Sequence, residues 1–192
     1  MRRRRGLNFA RKRRNMSAYV VKEIFSWLLH IMVAILMALI LVFCIGMRTS
    51  VIGVSMEKTL YSGQQVLVNR FSYLFFGPDE GDIIVFTPNG NRNTHFYIKR
   101  VVAVPGDSVC IKDGKLYVNN TIVDYGYDKI MDAGIAEDAF TLEDDEYFVM
   151  GDNCNNSEDS RSGNIGPVSR EMIEGRAWFA LGNDMSFSGF IK

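Results

Sequence analysis

The chain has 192 residues, with 22 basic and 22 acidic side chains and a formal net charge of zero. This length allows one modest domain plus an N-terminal extension, and it excludes a large multidomain enzyme. The three cysteines form no C-x-x-C pair and the two histidines form no cluster, so the sequence predicts neither a metal site nor a cofactor. Cys110 and Cys154 are expected to be unpaired unless the fold brings them within disulfide distance.

The charges are distributed unevenly along the chain. Residues 1–23 hold nine of the basic side chains and one acid, which leaves an excess of eight acidic charges over the rest of the chain. A basic arm of this kind is typical of nucleic-acid binding, of a targeting sequence, or of the cytoplasmic flank of a membrane anchor. The residues that follow decide between these three.

Residues 24–47 contain no Asp, Glu, Lys or Arg. As a helix they would be ~36 Å long, enough to cross a hydrocarbon core of ~30 Å. A cleavable signal peptide would have an apolar core of only about 7–15 residues and a small-x-small site, which residues 44–48 do not provide. We therefore predict an uncleaved transmembrane anchor at 24–47 in a lipid bilayer, and no nucleic-acid partner. The positive-inside rule places the arm of residues 1–23 in the cytoplasm and the domain of residues 48–192 outside the cell membrane.

Residues 48–192 have the pattern of a mostly β domain. Runs rich in Val, Ile, Phe and Tyr and bounded by turn residues predict eight strands, at 65–71, 82–86, 95–104, 108–112, 115–119, 121–124, 146–150 and 176–181. Asp113 and Gly114 form a strong hairpin signal between two of them. Many short strands with tight turns favour a β-barrel or sandwich-like domain.

Three other segments carry structural predictions. Residues 169–174 are predicted to form a short helix that Ser169 caps and Gly175 ends. The acidic, aperiodic segment 125–145 is expected to form an exposed excursion. The aromatic segment 71–77 is either core or a patch at the membrane interface, and we favour the core.

Ser55 and Lys99 are the candidate reactive residues. Ser55 follows the apolar run closely in a Gly-flanked segment, and a serine hydroxyl becomes an effective nucleophile only when a base removes its proton. Lys99 lies in an apolar strand pattern, where burial would lower the pKa of its ammonium and allow it to act as that base. His95 is the only histidine after residue 47, and we expect it to be a surface or turn residue. The pattern alone leaves open that Lys99 is an ordinary outward lysine.

Three segments carry a family resemblance: 53–60 (GVSMEKTL), 97–107 (YIKRVVAVPGD) and 151–161 (GDNCNNSEDSR). In this order and spacing they resemble type I signal peptidases, with the patterns S-M-x-P-T-L, K-R-V-x-G-x-P-G-D and G-D-N-x-x-x-S-x-D-S-R. The resemblance implies a membrane-bound serine peptidase with a Ser55–Lys99 dyad. Its substrates would be the signal peptides of exported preproteins, cut after small-x-small sites, with the secretion translocon nearby.

The resemblance also implies roles for residues around this dyad. Ser157 would orient the lysine amine, and Asp159 and Arg161 would brace the site. Arg100, on the opposite face of the strand from Lys99, would hold the loop through an ion pair with Asp152.

Substrate and oxyanion contacts follow from the same resemblance. The backbone N–H of Ser55 is a candidate oxyanion donor. Some family members have a serine hydroxyl as a second donor two residues earlier, where this chain has Gly53. Apolar side chains would line the pockets for the leader peptide, and the same side chains are otherwise plain core residues; they are Val51, Met56, Tyr97 and Ile98.

The chain departs from the family pattern at three positions. Lys58 replaces a proline, Ala103 a glycine and Cys154 a common arginine. If Lys58 and Ala103 mark only local backbone adjustment, we expect Lys58→Pro and Ala103→Gly to leave the cleavage site unchanged and to change stability by about 1 kcal/mol or less. The departures keep open a dedicated processing peptidase for a narrow substrate set, such as pilins. A second alternative is a non-catalytic membrane-anchored assembly factor, which the presence of both members of the dyad disfavours. A third is a repressor-type autoprotease, which is disfavoured by the apolar run and by the absence of a helix-turn-helix pattern.

Overall fold

The computed structural model describes residues 18–45, 47–90, 95–182 and 188–191. The chain divides into two compact units, at Ile40 and Leu41. Most of the predicted basic arm lies outside the described residues.

A long helix, α1 (Ala18–Ile45), begins the described chain. Its segment Ala18–Ile40 has a mean hydropathy of 2.2, is not buried by other parts of the protein, and is long and apolar enough to cross a membrane. The helix begins six residues before the predicted span. The prediction relied on the absence of charge, whereas Lys22 and Glu23 are good helix formers that continue the helix past the apolar run.

The rest of the described chain is mainly antiparallel β-sheet. Its strands are β1 (Met47–Ser50), β2 (Gln65–Asn69), β3 (Ile83–Phe86), β4 (Tyr97–Ala103), β5 (Ser108–Lys112), β6 (Lys115–Val118), β7 (Thr121–Val123), β8 (Phe140–Thr141), β9 (Glu146–Met150), β10 (Val168–Ser169), β11 (Ile173–Leu181) and β12 (Gly189–Phe190). The larger sheet has the order β1-β2-β11-β3-β4-β9-β10, with β12 paired to β11, and the smaller sheet has the order β7-β6-β5-β8. The mostly β fold with one N-terminal apolar helix is confirmed. The strands that the sequence did not predict have two to four residues, too few to show an alternating pattern.

Hydrophobic clusters cover both faces of the larger sheet. One cluster contains Val66 and Val68 of β2 together with Met56 and Leu60, and the other contains Phe86 of β3. Met56 and Leu60 are each 1% exposed. The turn that carries Ser55 is therefore fastened to the sheet by two apolar side chains that follow Ser55 in sequence.

The predicted helix at 169–174 is wrong. Only Arg170–Met172 form a 3₁₀ turn, and Ser169 makes no side-chain cap. Ile173 already belongs to β11, where it pairs with Phe86 of β3. Strand pairing with a distant segment overrides the local helix signal here.

The segment 125–145 is mostly exposed, as predicted, but it is anchored to the domain at three buried residues. Ile130, Ala136 and Leu142 are buried in the cluster that joins the two sheets. The Ile135 N–H donates to the Arg161 carbonyl at 3.0 Å, which ties the segment to residues 151–161. Its apolar residues are isolated within an acidic sequence, so they produce no periodic signal.

The aromatic segment 71–77 also differs from the favoured prediction. It forms a short helix, α2 (Ser72–Phe75), in which Tyr73 is buried. Phe71, Phe75 and Phe76 are 50%, 71% and 77% exposed. Most of this aromatic surface therefore lies outside the core.

Candidate functional site

Ser55 and Lys99 are brought together by the fold, although 44 residues separate them in sequence. Lys99 Nζ donates a hydrogen bond to Ser55 Oγ at 2.7 Å. Lys99 is 4% exposed on the buried strand β4, whereas Ser55 is partly exposed in its turn. A nucleophile within hydrogen-bond reach of a basic nitrogen is the geometry that proton transfer requires.

The surroundings of Lys99 lower the pKa of its amine to about 8, from an ordinary value of 10.5. Burial is the largest cause, because desolvation penalises the ammonium. The carboxylates of Asp159 and Glu158 oppose the shift, and the Arg161 guanidinium adds to it. Within the described residues, no carboxylate lies within ion-pair distance of Lys99. A substantial neutral fraction therefore exists near pH 8.

Arg100 is directed to different partners. Its Nε and Nη2 donate to the two carboxylate oxygens of Asp152 at 2.8 and 2.7 Å. Its Nη1 donates to the Gly81 carbonyl at 2.9 Å, and the Thr59 hydroxyl also donates to Asp152. This buried ion pair connects β4 to the turn after Ser55 and to the start of the 151–161 segment.

Asp159 is the centre of a second buried network. It accepts hydrogen bonds from Arg161 Nε and Nη2 at 2.8 and 3.0 Å and from the Gly151 N–H at 3.1 Å. The Ser157 hydroxyl donates to Asp159 at 2.7 Å. Over the described part of the chain, Ser157 makes no hydrogen bond with Lys99, which differs from the orienting contact that the resemblance implied.

Residues 151–161 also hold the Ser55 turn through contacts that sequence reasoning missed. The Asn153 N–H donates to the Ser55 carbonyl at 3.0 Å, and Asn153 Nδ2 donates to the Val54 carbonyl at 3.1 Å. A Cβ on Gly151 would overlap both the Ser55 carbonyl oxygen and Ser157 Oγ. The density of Asn and Gly in this segment was the available signal, but it did not identify which residue contacts the turn.

The two candidate oxyanion positions differ. The Ser55 N–H has no acceptor among the residues that the structure describes. Gly53 has φ +83°, a conformation that favours glycine, and it offers no side-chain donor.

A cavity of about 250 Å³ opens beside Ser55 and Lys99. Its lining includes the four predicted pocket residues, Val51, Met56, Tyr97 and Ile98, and also the exposed His95. Two larger cavities, of about 470 and 420 Å³, contain neither reactive side chain. We place the candidate active site at the smaller cavity, because both Ser55 and Lys99 line it.

Glu158 is an acid near this site that sequence reasoning did not single out. After desolvation, its charge and a side-chain hydrogen bond raise the pKa of the Tyr97 phenol. Lys99 Nζ lies 5.5 Å from the centre of the same Tyr97 ring. Glu158 therefore belongs to the electrostatic surroundings of the lysine, although it is exposed and makes no ion pair with it.

Sequence comparison identifies the family. The model for signal peptidase, peptidase S26, matches residues 24–181. The chain belongs to this family. It is 35% identical to signal peptidase I S of Bacillus subtilis strain 168 over 170 residues, which cover 83% of this chain and 90% of that protein. It is 33% identical to signal peptidase IB of Staphylococcus aureus strain COL over 175 residues, covering 82% of this chain and 89% of the relative.

A solved structure gives a weaker match. A signal peptidase I from Enterococcus faecalis V583 aligns with a TM-score of 0.43 and 28% identity, over 53% of this chain and 97% of that one. Family membership assigns the chain to the peptidases, and together with α1 it indicates a membrane-anchored protein.

The departures from the family pattern have specific structural consequences. Lys58 has φ +90°, whereas proline requires a φ near −65°, so our expectation of a small effect for Lys58→Pro is wrong. Lys58 Nζ instead donates to the Gly126 carbonyl at 2.8 Å and to Asp128 at 3.1 Å. Ala103 is buried in β4 without a positive φ, and Cys154 and Cys110 are unpaired. Among the described residues, no group of three or more His, Cys, Asp and Glu side chains is placed to hold a metal ion.

Proposed function

We propose that this chain removes N-terminal signal peptides from exported preproteins, using Ser55 as nucleophile and Lys99 as general base. The observation that carries the proposal is the 2.7 Å contact between Lys99 Nζ and Ser55 Oγ, made by a lysine that is only 4% exposed. The names of the relatives, signal peptidase I S and signal peptidase IB, support the substrate class.

The reaction is an acyl transfer through Ser55. Neutral Lys99 takes the hydroxyl proton as Ser55 Oγ attacks the carbonyl carbon at the cleavage site. The Ser55 N–H stabilises the negative charge that develops on the carbonyl oxygen. Protonated Lys99 then gives its proton to the leaving amine, which releases the mature protein. Lys99 next deprotonates the water that hydrolyses the acyl-enzyme and frees the leader peptide.

The surrounding residues position this pair. Asp159 and Arg161 hold residues 151–161 against the Ser55 turn, and Arg100 with Asp152 fastens the turn to β4. Ser157 acts on Lys99 through Asp159, because its hydroxyl donates to that carboxylate. Its loss should therefore lower the rate without removing the base.

The cavity supports selection of small side chains before the cleavage site. Its volume is about 250 Å³ and its lining is largely apolar, with Val51, Met56 and Ile98 each at most 6% exposed. An extended peptide would place alternate side chains against this apolar lining, and such a cavity can hold only a few of them at once. Leaders with small residues at the first and third positions before the cut fit this description.

The proposal includes a topology. The basic arm lies in the cytoplasm, α1 crosses the bilayer, and the β domain faces the other side, where exported chains leave the translocon. Protease added outside intact spheroplasts should digest the β domain and spare the arm. Protection of the β domain would contradict this orientation.

The test of the reaction uses the full chain in detergent with a preprotein that has alanine at both small positions. Ser55→Ala and Lys99→Ala should each abolish cleavage, and the double variant should be no worse, because residues that act as one unit are not additive. Lys115→Ala, on the exposed end of β6, is the matched lysine control and should cleave normally. Substantial cleavage by Lys99→Ala would remove Lys99 from the reaction. Cleavage of a panel of leaders would then separate a general peptidase from one with a narrow substrate set.

A further inference from the structure

Glu158 is an exposed acid that the proposed reaction does not use. Its neighbours in sequence, Ser157 and Asp159, belong to the buried network with Arg161. Over the described residues, no lysine or arginine lies within ion-pair distance of Glu158. The segment that holds the Ser55 turn therefore presents a carboxylate to solvent.

Two contacts place this carboxylate beside the reacting groups. The Tyr97 hydroxyl donates a side-chain hydrogen bond to Glu158. Lys99 Nζ lies 5.5 Å from the centre of the Tyr97 ring and 2.7 Å from Ser55 Oγ. Tyr97 and Lys99 line the cavity of about 250 Å³, but Glu158 does not. Glu158 therefore lies at the edge of the candidate active site, outside the cavity proposed to take small side chains.

The charge of Glu158 acts on Lys99. Burial is the main influence on the Lys99 amine and lowers its pKa, while the Asp159 and Glu158 carboxylates raise it. Asp159 is paired with Arg161, whose guanidinium lowers the same pKa. A cation brought to Glu158 would therefore offset a negative charge that favours the protonated lysine.

Strand pairing indicates which part of a substrate can meet Glu158. Strand β9 ends at Met150, where it pairs with Arg100, so within the described residues Tyr97–Lys99 have a strand partner, β3, on one side only. An extended peptide along such an edge directs successive side chains to opposite sides. If the first and third side chains before the cut enter the cavity, the second before the cut and the first after it point away. These two positions can meet a group outside the cavity.

We propose that Glu158 selects substrates by charge, favouring a basic side chain at the second position before the cut or the first position after it and disfavouring an acidic one. The inference rests on the proposed function, because it requires peptides to bind beside Ser55 and Lys99. A lysine or arginine of the substrate would gain a charge pair with Glu158 at the edge of the site. It would also favour the neutral Lys99 amine that takes the Ser55 proton, so binding and reaction would change in the same direction.

The experiment uses the full chain in detergent and one leader peptide with alanine at the first and third positions before the cut. Lysine, glutamine or glutamate is placed at the second position before the cut or at the first position after it. The value of kcat/KM is measured for each peptide at low and high salt. The enzymes are the wild type, Glu158→Gln, Glu158→Lys and the control Glu143→Gln, which removes an exposed acid elsewhere in the domain.

We expect the wild type to cleave the lysine peptide about tenfold better than the glutamate peptide at one or both positions, and less so at high salt. Glu158→Gln should bring this ratio close to one, Glu158→Lys should reverse it, and Glu143→Gln should preserve it. Equal cleavage of the charged peptides by the wild type would overturn the proposal. So would a preference for lysine that persists in Glu158→Gln.

A binding measurement separates this inference from the reaction chemistry. Ser55→Ala removes the nucleophile, so the affinity for each labelled peptide can be measured by fluorescence anisotropy without cleavage. Tighter binding of the lysine peptide, lost when Glu158→Gln is added, would support the role of Glu158 even if Lys99 were not the base. Cleavage that depends on Ser55 and Lys99 without charge preference in either assay would keep the reaction and remove Glu158 from specificity. Failure of every peptide to bind would overturn both proposals.

Discussion

Lys99 and Arg100 are adjacent buried cations on β4 with opposite electrostatic surroundings. They are 4% and 6% exposed. Burial alone lowers the pKa of the Arg100 guanidinium, but the hydrogen bonds and charge of Asp152 outweigh burial and raise it overall. Lys99 faces the neutral Ser55 hydroxyl at 2.7 Å, and burial lowers its pKa to about 8. Two neighbouring buried residues are thus a permanent cation and a candidate base, and the charged partner of Arg100, which Lys99 lacks, is the main difference between them.

Exchanging lysine for arginine at position 99 should have the largest effect on activity. Lys99→Arg should lower kcat/KM by about 10⁴-fold or more, because guanidinium stays protonated in proteins and cannot act as a base. Arg100→Lys, the matched exchange on the neighbouring residue, should keep measurable cleavage, since Arg100 holds the structure and does not react. Kinetics on a leader peptide in detergent measure both variants. Substantial activity in Lys99→Arg would show that Lys99 is not the base.

Removing the partner of Arg100 should cost stability. Asp152→Asn preserves the shape of the side chain but leaves a buried guanidinium without a countercharge, which costs about 3–5 kcal/mol. Asp128→Asn is the control, because the Lys58–Asp128 pair is exposed and such pairs contribute about 0–1 kcal/mol. Denaturant unfolding of the two variants in detergent measures the difference. Equal losses of unfolding free energy in the two variants would mean that the buried Arg100–Asp152 pair stabilises the fold no more than the exposed pair does.

Removing the charge of Lys99 should instead stabilise the fold. Lys99→Met keeps the length of the side chain and should gain about 3 kcal/mol at pH 7, the cost that corresponds to a pKa of about 8 instead of 10.5. Below pH 8 Lys99 is protonated in both the folded and the unfolded wild type, so the folded state bears this free-energy cost in full. Between pH 8 and 10.5 folded Lys99 loses its proton first, so the wild type gains stability as pH rises and the advantage of methionine shrinks. A pH-independent difference in unfolding free energy would contradict the desolvated lysine.

The smallest expected effect is on the pH profile. For the wild type, kcat/KM should rise with pH and level off above about 8, the pKa of Lys99. Glu158→Gln removes a negative charge that raises this pKa, so the rising limb should move to lower pH, with rates changing by less than about tenfold. Glu143→Gln, an exposed acid elsewhere, should leave the limb in place. A limb near ~6.5 that disappears in His95→Ala would identify a histidine base instead.

Elements whose signal is local could be predicted from the sequence. The eight predicted strands are present to within three residues at their ends, because alternation and turn residues lie inside each segment. The helix predicted at 169–174 failed because Ile173 pairs with Phe86, a contact across 87 residues that no local pattern reports. The outward phenylalanines were assigned to the core for the same reason, since aromatic composition does not show which rings the sheet covers.

The candidate site was predictable in its residues and in the Arg100–Asp152 ion pair, but not in several of its other hydrogen bonds. The order and spacing of three segments singled out Ser55 and Lys99, and the fold places them in contact. The Ser157 hydroxyl donates its hydrogen bond to Asp159, which the sequence did not predict. The hydrogen bond from Asn153 to the Ser55 turn was not predicted either. Hydrogen-bond partners depend on side-chain positions of a few tenths of an ångström, which residue type and spacing do not specify.

By itself the sequence determined a helix long and apolar enough to span a membrane, eight of the strands and the family. A long uncharged run leaves few structures other than a helix that satisfy its backbone in a bilayer, and alternation with turn residues defines strands locally. Only the tertiary structure decided the chemistry available to Lys99. Alternation states which face of β4 a side chain occupies, but the depth of burial and the neutral partner come from a turn 44 residues earlier, which Met56 and Leu60 hold against the sheet. The pKa of the candidate base depends on that packing, and therefore on the whole fold.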